Sequence, residues 1–222
     1  MVRRRIRDPN ARERWDERFE LQLRQGWFRK PRYRLLAYVF PRWALEKKIR
    51  KTYHLPVAGI AEGRFLDLGC GLGSCAAYYA WKTGRPAVGL DFAMPAVAYA
   101  LSECRRHGIG ASFVSGDAAA LPFLDASFDS AYIGQVLEHL EHPDGVIREA
   151  ARVLRPGGKL IVSVPRGDAC SGDGEAGHVN FYWKEEDCLR LIEGLPLERP
   201  EFHPFHRHRF FLSARTTGGA PA

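Results

Sequence analysis

The chain has no run of eighteen apolar residues, so no membrane-spanning helix is expected. Its opening residues, Met1-Val2-Arg3-Arg4-Arg5, are basic but lead into no apolar stretch, so a secretory leader is not expected either. No two cysteines stand in C-x-x-C spacing. Cys70, Cys75, Cys104, Cys170 and Cys188 are odd in number and scattered, which fits unpaired thiols in a reducing cytoplasm and argues against a metal site. Internal repeats and long low-complexity linkers are also missing. What is present is 222 residues with 45% apolar content, enough for one α/β domain with additions.

Charge is short in one place and crowded in another. Residues 1–51 hold seventeen Lys/Arg against six Asp/Glu, whereas the rest of the chain is mildly acidic. Such a block attracts nucleic acid, an anionic lipid surface or an acidic substrate, or is simply a solvated helical face. Two helices are predicted inside it. One covers 11–25, with Trp15, Phe19 and Leu23 every four residues. The other covers 32–51 and mixes Leu35, Val39, Phe40 and Trp43 with seven basic residues.

The most informative segment is Phe65-Leu66-Asp67-Leu68-Gly69-Cys70-Gly71-Leu72-Gly73-Ser74. It reads as a buried strand, a glycine-rich turn and a helix start. Residues without a Cβ let backbone bend sharply and lie close to a ligand, and the helix start aims free N–H groups at it. The spacing departs from the G-x-G-x-x-G dinucleotide fingerprint, and no Lys-Ser or Lys-Thr pair follows as in a phosphate loop. That pattern suits an adenosine held by its sugar and base. A second apolar run, Ala87-Val88-Gly89-Leu90, ends on Asp91, where an α/β nucleotide fold grips a ribose.

From Arg64 onward strand and helix signals alternate. Strands are predicted at 64–68, 87–91, 112–116, 128–133 and 158–164, and helices at 74–83, 93–107 and 143–154. A last helix, 184–193, precedes strands at 197–203 and 208–214. Ligands of such open sheets bind at the carboxyl ends of the strands, where Gly69, Asp91, Asp117 and Gly134 all fall.

With Gly116-Asp117-Ala118 and Val153-Leu154-Arg155-Pro156-Gly157-Gly158 added, the motifs from Phe65 to Pro165 resemble the class I S-adenosylmethionine-dependent methyltransferases. Val136-Leu137-Glu138-His139-Leu140 and His178-Val179-Asn180-Phe181-Tyr182 are similar to the broad branch that includes quinone-biosynthesis methyltransferases. The resemblance implies a Rossmann-like α/β fold, with a mostly parallel seven-stranded sheet and a C-terminal antiparallel edge hairpin. Residues 55–215 would form that domain, residues 1–54 a basic helical addition acting as a lid or substrate segment, and residues 216–222 a disordered tail.

The cofactor implied is S-adenosylmethionine. Gly69, Gly71 and Gly73 would lie against its methionine part and ribose. Asp91 would accept both ribose hydroxyls, since a carboxylate offers two oxygens; its alternative is a helix N-cap before Phe92. Asp117 would accept from the adenine amine and the Ala118 N–H would donate to a ring nitrogen, unless Asp117 is only a turn residue. Phe92, Gly134 and Gln135 complete the cofactor side. By resemblance, Asp67 orders the glycine loop and pairs with the cofactor's amino group.

His139 is the expected general base, since histidine titrates near neutrality; a structural histidine is the competing reading. Gln135, Glu138 and His139 would share one helical face. An amide at Gln135 weakens any hard-cation site, so no metal is expected. His178 would anchor a loop at the substrate opening, while His203, His206 and His208 read as exposed edge residues.

The expected activity is therefore methyl transfer, with O-methylation of a small or lipid-linked metabolite first. The basic N-terminal helices would allow peripheral membrane contact. RNA methylation is the competing enzyme reading, but no Asn-Pro-Pro-Tyr-like tetrapeptide follows the fourth strand and no separate RNA-binding module is present, so nucleic acid is not the expected partner. A non-catalytic, cofactor-binding regulator is the non-enzyme alternative.

Overall fold

Phe65-Leu66-Asp67-Leu68 forms β1, and all four of its residues are buried. The structure, a computed structural model, describes residues 54–167, 179–182, 184–205 and 207–217, with residues 16, 17, 20 and 21 ahead of them. In chain order the elements are α1 (His54–Ile60), β1 (Phe65–Leu68), α2 (Ser74–Thr83), β2 (Ala87–Asp91), α3 (Met94–His107), β3 (Ala111–Ser115) and β4 (Phe128–Gly134). A short 3-10 turn, Leu137–His139, leads to α4 (Pro143–Val153), β5 (Leu154–Pro165), α5 (Glu185–Leu189), β6 (Leu197–Phe202) and β7 (Arg209–Thr216).

The strands form one sheet of seven, in the order β3-β2-β1-β4-β5-β7-β6. The first five run parallel, and β7 joins β5 antiparallel with β6 beyond it. This is the Rossmann-like sheet with the antiparallel edge hairpin expected above. The strand order reverses between β1 and β4, and a crevice opens at such a reversal outside the carboxyl ends of the strands.

Alternation along the strands divides the core into two. On one face Leu66, Leu68, Ile133, Leu160 and Val162 pack with Val146, Ile147 and Ala150 of α4. On the other, Phe65, Tyr132, Ile161 and Phe211 pack with Val57 of α1 and with Cys75, Ala76 and Tyr79 of α2. Asp67 has the parity of Phe65, so its side chain points to the α2 side. Cys70, Cys75, Cys104 and Cys188 are buried free thiols, as small apolar side chains commonly are.

Several boundaries differ from expectation. The fifth strand starts at Leu154 rather than 158, because Leu154 already pairs with Phe128 before the register shifts. The Pro156-Gly157-Gly158 turn is absorbed into it, with Gly157 at a positive φ of 74°. The last helix stops at Leu189 instead of 193. Beyond it the Leu191 and Ile192 N–H groups donate to Cys188 O and Leu189 O, a tighter three-residue spacing that runs on to Gly194 at a φ of 71°. Thr216 is no tail residue, since it pairs with Leu197 and its buried hydroxyl donates to Arg155 O.

The predicted N-terminal helices fall mostly outside the described residues, where Asp16, Glu17, Glu20 and Leu21 are helical. Among the described residues no helix is long and apolar enough to cross a membrane.

Candidate functional site

The site is built where β1 gives way to α2. After Leu68 the chain must turn at once, and Gly69, Gly71 and Gly73 all take positive φ angles, of 68°, 51° and 76°. Side chains are also barred by space. A Cβ on Gly69 would run into Val136 Cγ2, and one on Gly73 would sit 2.5 Å from Phe113 Cε1 and 2.6 Å from the Ala100 Cβ. The loop is tied to β2, whose Leu90 carbonyl accepts the Gly69 and Cys70 N–H groups at 2.8 and 3.0 Å.

Asp91 closes β2 and is 5% exposed. Its Oδ2 accepts the Gly71 N–H at 2.7 Å and its Oδ1 accepts the Ala93 N–H at 2.9 Å. The N-cap reading is not realised, since Ala93 holds that position at the start of α3. Asp91 braces the glycine loop and the start of α3, and each oxygen keeps further acceptor capacity for a ligand hydroxyl. Burial is the main cause of its raised pKa, the two backbone bonds oppose it, and the Asp16 carboxylate raises it further. Asp16 is therefore close enough to Asp91 for its charge to be felt there.

Asp67 is 3% exposed, and its Oδ2 accepts the Ala76 N–H at 3.1 Å. It stands at the N-terminus of α2, where the helix dipole favours negative charge. Burial nevertheless pushes its carboxyl up to about 7, with Asp91 adding to the rise.

Asp117 is exposed, and its Oδ1 accepts the Ala119 N–H at 2.8 Å, so the turn role is realised. Ala118 and Phe92 are half-buried. The stretch after Asp117 is fastened from α4. Glu149 accepts the Leu121 N–H at 2.7 Å, and Arg152 donates to Leu121 O and Phe123 O at 3.2 and 2.9 Å.

At the end of β4 a Cβ on Gly134 would collide with the Tyr132 hydroxyl, which is bonded to Ser163 Oγ at 2.8 Å. Gln135 adopts a φ of 58°, a region non-glycine residues seldom occupy and one that recurs at functional sites. Two bonds to Ser163 O hold it there, from its N–H at 3.0 Å and its Nε2 at 3.2 Å.

The expectation that Gln135, Glu138 and His139 share one helical face is corrected. The turn is a single 3-10 step that excludes Gln135, so Glu138 points inward and is fully buried while His139 is half-buried. His139 is fixed through its N–H, which donates to Val136 O at 3.0 Å.

His203 is no exposed edge residue either. Its Nε2 lies 2.8 Å from Ser213 Oγ and its ring stacks on Phe205 at 5.0 Å. His208 is exposed as expected, whereas His178 and His206 lie outside the described residues. Among the described residues no group of His, Cys, Asp and Glu could hold a metal ion.

Sequence reasoning missed the tasks of Phe113 in β3 and Ser163 in β5, which close on Gly73 and Gln135 from other strands, and of Val136, which meets Gly69 from the start of the 3-10 turn. No local signal marks them, because their roles depend on strand order. Asn180 was visible inside a quoted motif but not its task. Its Nδ2 donates to Leu137 O and Leu140 O at 3.2 and 2.6 Å.

The arrangement fits S-adenosylmethionine on the chain's own geometry. A floor of backbone without side chains faces the crevice, a strand-end carboxylate keeps acceptor capacity, and a second buried carboxyl lies beneath.

Residues 66–162 match the family model described as a methyltransferase domain. A demethylmenaquinone methyltransferase of Thermus thermophilus is 35% identical over 133 residues, 60% of each chain. A fatty-acid O-methyltransferase of Mycolicibacterium smegmatis is 42% identical over 123 residues, 52% of this chain and 43% of that one. The chain spans about half the length of the curated relatives it matches. Among solved structures, the [4+2]-cyclase SpnF superposes with a TM-score of 0.64 at 24% identity, over 79% of this chain and 82% of that chain.

Proposed function

We propose, with residues 66–162 as a class I, S-adenosylmethionine-dependent methyltransferase domain, that the chain methylates an oxygen on a small or lipid-linked metabolite. The observation that carries this reading is the glycine loop of β1 locked to Asp91 at the carboxyl ends of adjacent strands. When bound, the cofactor supplies an already activated methyl group on a sulfonium centre, with a neutral thioether as leaving group.

The protein's work is then to bind, orient and exclude water. Gly69 to Gly73 present backbone to the ligand, and the spare lone pairs of Asp91 receive ribose hydroxyls. The Ala118 N–H and the free oxygen of Asp117 face adenine. Asp67 holds the start of α2 and offers a carboxyl to the amino group. Gln135 and Gly134 line the crevice on the β4 side.

His139, on the turn that follows β4, takes the proton of an acceptor hydroxyl. An imidazole suits that task, since it is largely unprotonated at neutral pH. As that proton leaves, the acceptor oxygen would bond to the methyl carbon while the carbon–sulfur bond breaks, and shutting out water would keep the oxygen reactive.

The acceptor class draws on the relatives, whose names point to a quinone precursor and a fatty acid. It draws also on the basic, aromatic N-terminal segment, which suits an anionic or lipid-linked molecule. Asp16, whose charge is felt at Asp91, supports a role for that segment as cover over the site. Since a similar fold is titled a cyclase in SpnF, fold alone does not select methyl transfer. The test is incorporation of label from radiolabelled methyl donor into quinols, phenols, fatty acids, sugars and RNA. Label in a hydroxylated or lipid-linked acceptor is expected. Label confined to RNA would replace this reading, and tight cofactor binding with no transfer to the panel would make the chain a regulator.

A further inference from the structure

Glu138 is fully buried, and no other residue gives either of its carboxyl oxygens a hydrogen bond. Such a group costs free energy in either protonation state, so a native fold that keeps one calls for an explanation. The backbone around it is well supplied. The Val179 and Asn180 N–H groups both donate to the Glu138 carbonyl, at 2.7 and 3.1 Å. Asn180 Nδ2 adds its bonds to Leu137 O and Leu140 O. The segment 179–182 is thus stitched onto the turn that carries His139, while the Glu138 side chain inside the stitch stays unpaired. Tyr182, in the same segment, is buried with an unpartnered hydroxyl of its own.

The charged and titratable groups around Glu138 come from several elements. Arg209, at the start of β7, favours the ionised carboxylate. Tyr182 resists ionisation in part because of Glu138, and behind it Cys188 of α5 is a thiol that burial pushes up to about 12. His139 is its neighbour on the turn itself.

We propose that Glu138 is a positioning residue: as an uncharged acid it keeps segment 179–182 docked beside His139, and on ionising it releases that segment, so that acceptor binding depends on pH.

Burial raises the Glu138 carboxyl from an ordinary 4.5 to about 7, against the smaller pulls of its own backbone N–H and of Arg209. In the undocked form the group is hydrated and titrates in the ordinary range. The docked form therefore holds a proton that the undocked form gives up. Docking is strongest below the ordinary carboxylate range, weakens by about tenfold per pH unit as pH rises towards about 7, and is level above it. The acceptor part of this proposal rests on the methyl-transfer reading, whereas the docking part does not.

Hydrogen exchange by mass spectrometry on the full chain tests it, from pH 5 to 8, corrected for the intrinsic rate and referenced to β1 and β4. Protection of 179–182 should fall between pH 5 and 7 in the wild type and stay nearly constant in Glu138→Gln, which mimics the uncharged acid. The wild-type series needs no substitution, so it holds even where the variant folds poorly. Constant protection in the wild type, or the same fall in Glu138→Gln, overturns the proposal. With an acceptor identified, the Glu138 contribution should appear in the acceptor KM, apart from the kcat limb that His139 gives as base, and the variant should flatten the KM profile while leaving the kcat limb in place. Failure to find any methyl acceptor would leave the exchange result intact, so the two failures are told apart.

Discussion

Asp91 joins two jobs that a single carboxylate can do only because it has two oxygens. One oxygen holds the Gly71 N–H and the other the Ala93 N–H, and the remaining lone pairs are the acceptors proposed for a ribose. Replacing Asp91 with Ala removes both the brace and the acceptors. Affinity for the demethylated cofactor product should fall by about 1–3 kcal/mol, as expected for lost bonds to a charged group. Calorimetry reads this directly, and unchanged affinity in a folded variant would remove the ribose assignment. His139 makes the opposite prediction. His139→Ala should lower kcat by roughly 10²–10⁴ while the calorimetric affinity for the cofactor product stays near wild type. A normal kcat returns His139 to a structural role. Glu138 marks the limit of reading by spacing. The i, i+3, i+4 pattern grouped it with Gln135, but the positive φ of Gln135 breaks the helical phase before the turn begins.

The link between β1 and α2 shows why elements were legible where they were. Apolar runs such as Phe65–Leu68 and Ala87–Leu90 are buried on both faces, and each ends on a polar or glycine signal, so their strands and their order along the chain could be read directly. The end of α5 could not, because an apolar pattern does not separate three-residue from four-residue hydrogen-bond spacing, and the start of β5 could not, because Leu154 pairs with the distant Phe128. The partners of the glycine loop were hidden for the same reason. Phe113 lies in β3, forty residues on, and reaches Gly73 only because β3 sits two strands away from β1. That packing gives a prediction at this scale. Gly73→Ala places a Cβ at a φ of 76° and within 2.6 Å of both Phe113 and Ala100. Unfolding in urea should show a loss of about 1–3 kcal/mol, the usual range for overpacking. Cofactor affinity should drop with it, since the strain falls on the loop that faces the ligand. A variant with wild-type stability would mean that Phe113 yields freely, and the rigid-cradle account would have to be dropped.

At the scale of the molecule, the proposed reading puts cofactor and acceptor functions in different parts of the chain. Every residue proposed for the cofactor side falls between Asp67 and Gln135, at or just beyond the carboxyl ends of β1 to β4. The positive excess lies entirely in residues 1–51, and of these Asp16 is felt at Asp91. A chain beginning at Leu55 should therefore keep part of its affinity for the cofactor product. It should lose most methyl transfer, because acceptor positioning and the exclusion of water would go with the cover. The core face formed by Val57, Tyr79 and Phe211 stays intact in such a truncate, so circular dichroism should report a folded domain. A lipid-linked acceptor adds a second readout. The full chain should pellet with anionic vesicles at low salt and come off as salt screens the charge, while the truncate should remain in the supernatant. Full activity in the folded truncate would defeat the role of the N-terminal segment as a cover. Absence of pelleting at low salt would defeat only membrane contact, and the acceptor would then be sought among water-soluble hydroxylated molecules, with the charge of residues 1–51 acting on the acceptor itself.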